Sequence, residues 1–216
     1  QQTDSGFVFG MPVNVGPPVN TMCGEYGASV SADGRTLYFC DGGPWPRRPD
    51  QYGRGDLWVA SRKTVADPWQ EPVNLGSVVN SHYPEVSPFI AVDGLALYFA
   101  TSRPGDFGDA DLYVSRRAAL DLPWGEPVNL GAGVNSSSTD FFPFVSEDGL
   151  TLYFGSKRSG EGDIYRATRT HSNEPFGPAE NIGSPINTED SDELTPWLAP
   201  NGLALIFTSR RHGDWN

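Results

Sequence analysis

Lysine is almost missing from this chain: Lys63 and Lys157 are the only two, and charged residues of all kinds make up 19% of the sequence. That excludes a helical bundle or a coiled coil, both of which are built from Ala, Glu, Lys and Leu. Cysteine is scarce too. Cys23 and Cys40 form no CxxC pair and no Cys/His cluster, so neither a disulfide framework nor a structural zinc holds the chain together. No apolar run approaches the roughly 20 residues of a membrane-spanning helix. Basic residues number 15 against 27 acids, a net charge of −12 that lacks the footprint nucleic acid requires. The opening Gln1-Gln2-Thr3-Asp4 has no basic or apolar leader pattern, so any export signal is expected to be removed or never present. What is abundant is turn chemistry, with 25 glycines and 19 prolines among 216 residues. An aromatic share of 12% argues that these punctuate a packed protein and not a disordered one.

The sequence repeats itself. Asp/Asn-Gly followed by an apolar run occurs at Gly34, Gly94, Gly149 and Gly202. A Gly-x-x-Asp-apolar element recurs with its aspartate at 56, 111 and 163 and ends as Gly-Asp-Trp at 214, and a Val-Asn-Leu-Gly-like element recurs with its asparagine at 14, 74, 129 and 181. One unit of about 55 residues is used four times. Each unit reads as four short strands: an extended stretch, a tight Asp-Gly hairpin turn, a Leu/Tyr/Phe strand, an Asp-Leu-Tyr strand and a short Val-Asn strand. Both sides of the second strand are apolar, with Leu97 and Phe99 on one side and Ala96 and Tyr98 on the other. Such sheets must be covered on both faces.

Four-stranded sheets packed around an axis satisfy this, with a solenoid as the rival. The ends favour the ring. The interval from the strand-three aspartate to the residue before the fourth strand is the same in Asp56–Pro72, Asp111–Pro127 and Asp163–Ala179, and joining the termini nearly restores it from Asp214 to Pro12. The expected fold is therefore all-β: a single β-propeller domain over 1–216, with four blades of four antiparallel strands and repeat units at about 24–76, 83–131, 138–183 and 191–216 plus 1–16. Val13 to Val15 would close the last blade, and a fragment of a larger ring would show the same phase. The deepest packing is expected from Leu37, Phe39, Leu97, Phe99, Leu152, Phe154, Leu205 and Phe207.

Ser31-Ala-Asp-Gly34 with Leu37-Tyr-Phe39, Asp93-Gly94 with Leu97-Tyr-Phe99 and Ser102-Arg103, and Ser146-Glu-Asp-Gly149 with Leu152-Tyr-Phe154 resemble the TolB-type, WD-like β-propeller repeat. The trailing Trp124-Gly-Glu-Pro-Val-Asn-Leu-Gly131 is similar to a variety common in bacterial envelope and secreted proteins. The resemblance implies a propeller acting in the periplasm or outside the cell. It does not select an activity, because this scaffold carries binding modules and hydrolases alike.

Six residues before each turn stands an acid: Glu25, Glu85, Asp140 and Glu193. Together they are expected to ring one channel mouth, joined there by Arg103, Arg158 or Lys157, Arg210 or Arg211, and Arg47 or Arg48. Carboxylates about 7 Å apart would repel by roughly 2.4 kcal/mol per pair at an effective dielectric near 20. Inward-turned arginines, a divalent cation such as calcium held by the four acids, or raised pKa values would compensate. Departures from the repeat mark further binding candidates at the same mouth: His82 and Tyr83, the Ser136–Thr139 run, the acidic Glu189–Glu193 and the loop of Trp45. Asp106 to Asp111 has the alternating acids of a calcium loop without its distal Glu. No Gly-x-Ser-x-Gly elbow occurs, which weakens a triad hydrolase. Trp69, Trp124, Phe176 and Phe9 obey the repeat and read as packing residues.

Two functions fit. One is a non-enzymatic, monomeric binding or scaffolding propeller that takes carbohydrate or a protein partner across its loop face. The other is a glycoside or phosphate-ester hydrolase, or a lyase, with a divalent cation at the mouth. The cysteines stay open between a disulfide and two thiols: antiparallel pairing sets Cys40 near Gly27, some 13 Å along the strand from Cys23.

Overall fold

The structure, a computed structural model, describes residues 2–3, 6–7, 10–42, 48–105 and 107–211. Among them there is no helix. Strands β1 (Gln2–Thr3) and β2 (Gly6–Phe7) form a separate hairpin. Blade one comprises β3 (Gly24–Val30), β4 (Thr36–Gly42), β5 (Leu57–Ser61) and β6 (Val73–Asn74). Blade two comprises β7 (Glu85–Ile90), β8 (Ala96–Thr101), β9 (Asp111–Arg116) and β10 (Val128–Asn129). Blade three comprises β11 (Asp140–Val145), β12 (Thr151–Ser156), β13 (Asp163–Thr168) and β14 (Glu180–Asn181). The fourth unit has two strands, β15 (Glu193–Leu198) and β16 (Leu205–Ser209). All sheets are antiparallel and pair in sequence order.

The hairpin turns form as their chemistry requires. In blade one, Gly34 N donates to Ser31 O and Ser31 N to Thr36 O, both at 2.8 Å, while Asp33 Oδ1 accepts from Ser31 Oγ and Arg35 N. Gly34, Gly94, Gly149 and Gly202 sit at φ of 69°, 69°, 73° and 69°, where a side chain would be strained. Each innermost strand, β3, β7, β11 or β15, breaks its register midway, at Gly27, Ser87, Phe142 and Thr195, all with positive φ. Pro88, Pro143 and Pro196 follow directly, which a bulge tolerates because the ladder hydrogen bond is already lost.

Blades stack face to face. Tyr38, Cys40 and Leu57 of blade one pack with Ile90, Leu97, Phe99 and Tyr113 of blade two. Ala96, Tyr98, Leu112 and Val114 of blade two pack with Val145, Leu152, Phe154 and Tyr165 of blade three. On the perimeter an arginine staples three of the four turns: Arg62, Arg117 and Arg169 donate from Nε to Gly34 O, Gly94 O and Gly149 O and lie over Trp69, Trp124 and Phe176. Those aromatics pack as their regular spacing predicts.

The short fourth strands are held by asparagines. Asn80 bonds both Leu57 N (2.8 Å) and Leu57 O (3.1 Å) and donates to Asn74 Oδ1, while Asn74 donates to Asp56 Oδ2. Asn135 with Asn129 and Asp111, and Asn187 with Asn181 and Asp163, repeat the arrangement.

Three expectations need correction. Val13 to Val15 lie in no strand and do not close the last unit, so no closed ring forms among the described residues. The adjacent pairs β3·β7, β7·β11 and β11·β15 pack. Strand number per unit is uneven among the described residues, with four strands in each of three units and two in the fourth; Asp214 lies outside the described residues. Leu37, Phe39, Leu97, Phe99, Leu152 and Phe154 are buried, but Leu205 and Phe207 are half-buried, since among the described residues no third strand lies beside β16. Both cysteines are free thiols, and Cys40 sits opposite Tyr26 with its Sγ 3.2 Å from Tyr26 O. Among the described residues no helix is long and apolar enough to cross a membrane.

Replacing Asn135 by Ala should lower unfolding free energy by about 2–3 kcal/mol in urea melts, because two backbone groups of a buried strand lose their partner. Burial pushes the Cys40 thiol up to about 12. A thiol reagent at pH 8 should therefore modify Cys23 alone in the native protein and both cysteines in denaturant.

Candidate functional site

The four repeat acids open the four innermost strands, and each is enclosed within its own unit. In blade two, Glu85 is fully buried and accepts from Ser81 N (2.9 Å), Ser81 Oγ (2.5 Å), Thr101 Oγ1 (3.0 Å) and Arg103 Nη2 (3.1 Å). Arg103 also donates to Val79 O and lies over Phe99 and Tyr113. One guanidinium thus ties the innermost strand, the preceding connection and the blade face together. Arg158 pairs with Asp140 at 2.7 Å and bonds Val134 O, and Arg48 pairs with Glu25 at 3.0 Å and bonds Val19 O.

At the fourth unit the partner of Glu193 is Arg211, at 3.2 Å, which also bonds Ile186 O. Arg210, singled out from the sequence beside Arg211, pairs instead with Asp192. Adjacent residues on a chain leaving a strand point to opposite sides, so one arginine faces inward and the other the loop. Burial raises the Glu85 pKa, with hydrogen bonds from Ser81 and the Arg103 charge opposing the rise. At Glu193 burial works in the same direction, but hydrogen bonds from Ser209, Thr188 and Arg211 outweigh it and hold the carboxyl below its ordinary value. Of the three ways to compensate the acids, arginine pairing is the one visible in every unit. Among the described residues no three His, Cys, Asp or Glu side chains stand together as a cation would need.

The other candidates separate. His82 and Tyr83 are exposed on the connection into blade two, whose carbonyls crowd Gly53: a Cβ there would meet Ser81 O at 2.5 Å. Ser136 N and Oγ bond Asp140 Oδ2, and Gly108 packs on the same serine run. Asp192 accepts from Gly162 N, whereas Glu189 and Asp190 are exposed. Asp111 is buried and accepts from Phe107 N and Asn129; Asp106 lies outside the described residues, as do Trp45 and Arg47. Blade one departs from the repeat in a way the sequence reading missed. Opposite Glu25 stands Asp41, where the other units have Thr101, Ser156 and Ser209. Asp41 accepts from Asp56 N, and burial, reinforced by the Asp56 charge, raises its pKa.

The bulged strands line something else: a concave groove of about 460 Å³ running across β3, β7, β11 and β15. Four residues after each acid, Phe89, Phe144 and Trp197 form a step of aromatic rings at centroid distances of 5.0 and 6.4 Å. Ser29 fills the same step in blade one. Ser87 and Thr195 add polar groups, and Phe142 adds a further ring. None of the four acids or their arginines lines this groove. Its signal in the sequence is the run of Ser, Phe, Phe and Trp at one repeat position, hidden because three of the four look like core residues.

Arg103→Leu should destabilise the fold by about 3–5 kcal/mol at pH 7, since it strands a buried carboxylate. The sign with pH follows from the raised Glu85 pKa. The folded state binds that proton more tightly than the unfolded chain, and still more tightly without Arg103, so the deficit shrinks as pH falls from 7 towards 4. Denaturant melts of parent and variant across that range measure it.

The sequence matches no protein-family model and no curated protein. The fold has solved relatives. TolB from Acinetobacter baumannii superposes with a TM-score of 0.58 at 14% identity, over 86% of this chain and 37% of TolB. A thermostable family-43 glycoside hydrolase gives 0.54 at 17% identity, over 84% and 64% of the two chains. A puromycin-hydrolysing peptidase from Mycobacterium tuberculosis gives 0.51 at 14% identity, over 89% and 29%. The chain thus spans less than two thirds of the length of each. What it shares with them is the fold, which is TolB-type and β-propeller-like.

Proposed function

We propose that the chain is a non-enzymatic binding module of the periplasm or extracellular space that takes carbohydrate in the groove across its innermost strands. The observation that carries this reading is the step of Phe89, Phe144 and Trp197, with Trp197 still 40% exposed. Flat aromatic faces beside hydroxyl groups suit a ligand that is apolar on its C–H faces and polar at its rim. Hydrolysis of a glycosidic bond would ask for two carboxyl groups flanking the bond. Here each acid on an innermost strand is turned into its own blade and committed to an arginine. The binding face accordingly lies along the groove, inward from the loops of His82 and Tyr83.

A glycan array followed by calorimetry on the strongest hit tests the reading. Trp197→Ala should weaken binding at least tenfold, about 1.4 kcal/mol, with an unchanged circular dichroism spectrum. Glycan binding indifferent to Trp197→Ala, or release of reducing sugar from the bound glycan, would overturn it.

A further inference from the structure

Where units one and two stack, their outer rims part into a cleft of about 740 Å³, within the range of small-ligand pockets. Its floor is apolar: Tyr38 and Val59 come from unit one, and Trp124 of unit two meets Tyr38 edge-on at 6.1 Å. Val73, Val92 and Leu120 along it are 63%, 47% and 65% exposed, so apolar surface is left in water. No residue lines both this cleft and the aromatic groove.

The charges around this floor run against the rest of the chain. Arg35, Arg62, Lys63 and Arg117 line the cleft with only Asp33 and Asp93 against them, in a protein with 27 acids and 15 bases. Arg62 and Arg117 are the staples of the repeat, each Nε committed to a turn carbonyl. The other two depart from the repeat: Leu95 and Leu150 stand at the position of Arg35, and Ala118 and Thr170 at that of Lys63. Arg35 is paired with Asp33 at 2.8 Å, whereas Lys63 has no ion pair among the described residues. The matching cleft between units two and three, about 270 Å³, balances Arg116 and Arg169 with Glu126 and Glu174. Of these two clefts, the first alone carries excess positive charge.

We propose that this cleft binds an anionic amphiphile of the fatty-acid class, its alkyl chain lying on Tyr38, Val59 and Trp124 and its carboxylate meeting Lys63. The alkyl chain gains by covering apolar surface that the fold leaves exposed. The carboxylate gains from an ammonium group without a protein counter-ion at the edge of a low-dielectric floor. Elsewhere the acidic surface repels such a head group, so a preference for anions requires a local basic rim of this kind.

Calorimetric titration of the full chain at pH 7 and low salt, with dodecanoate, octanoate and dodecyltrimethylammonium each below its micellar concentration, tests this. Dodecanoate should bind one to one and roughly tenfold or more tighter than octanoate, because each buried methylene adds about fourfold. Dodecyltrimethylammonium should show no saturable binding. Lys63→Glu and Leu120→Asp should each weaken dodecanoate roughly tenfold or more, whereas Arg54→Glu, the same change of charge outside the cleft, should leave its affinity within about twofold. All three replace exposed side chains, and circular dichroism checks their folding. No saturable binding of dodecanoate below about 1 mM, equal binding of octanoate or of the cationic chain, indifference to Lys63→Glu or Leu120→Asp, or an equal loss in Arg54→Glu would each overturn the proposal. The carbohydrate reading is tested separately, since it depends on Trp197.

Discussion

A carboxylate taken out of water must be paired, and in this protein that requirement is met once per unit by an arginine from the loop after the second strand. The pair joins three pieces: the innermost strand through Glu85, the preceding connection through Val79 O, and the aromatic face through Phe99 and Tyr113. Burial makes the charge costly and the guanidinium makes it tolerable, with Ser81 and Thr101 occupying the remaining lone pairs. Units therefore take up one geometry, and the innermost strands are aligned well enough to share a groove.

Alignment of those strands leaves their middles free to differ. Each bulge sits between a fixed acid and a fixed turn, so Gly27, Ser87, Phe142 and Thr195 vary without disturbing either. The aromatic step lies just beyond the bulge. Side chains that obey the repeat carry the fold, and the variable positions between them carry the candidate ligand chemistry. Blade one is the exception, since Asp41 replaces a hydroxyl residue inside the paired cluster itself and brings a second buried carboxylate close to Asp56.

The open arc has the same root. A fourth strand held by asparagines needs an Asp-apolar pair on a third strand, and a blade face needs a neighbour. Where neither stands among the described residues, the side chains that would meet them are exposed, as Val15, Val30 and Ile206 are. At the positions of Val30 and Ile206, Ile90, Val145, Tyr38 and Tyr98 are buried while Leu198 and Tyr153 are half-buried, and at the position of Val15, Leu75, Leu130 and Ile182 are half-buried.

The sequence by itself determined the local chemistry. Asp-Gly turns, strands apolar on both faces and an acid at one spacing before each turn follow from steric and solvation rules that act over a few residues, and the resemblance to TolB-type repeats rested on the same short motifs. Which of Arg210 and Arg211 meets Glu193, whether the acids share a mouth or retire into their units, and whether Val13 to Val15 pair as a strand were decided only by tertiary structure. Adjacent arginines differ by side of the chain, not by type. Ring closure depends on the angle between stacked blades, a small rotation set by the packing of many side chains and accumulated over four units. Phe89, Phe144 and Trp197 were legible as strand residues, but their common place along one groove appears only when the strands stand side by side.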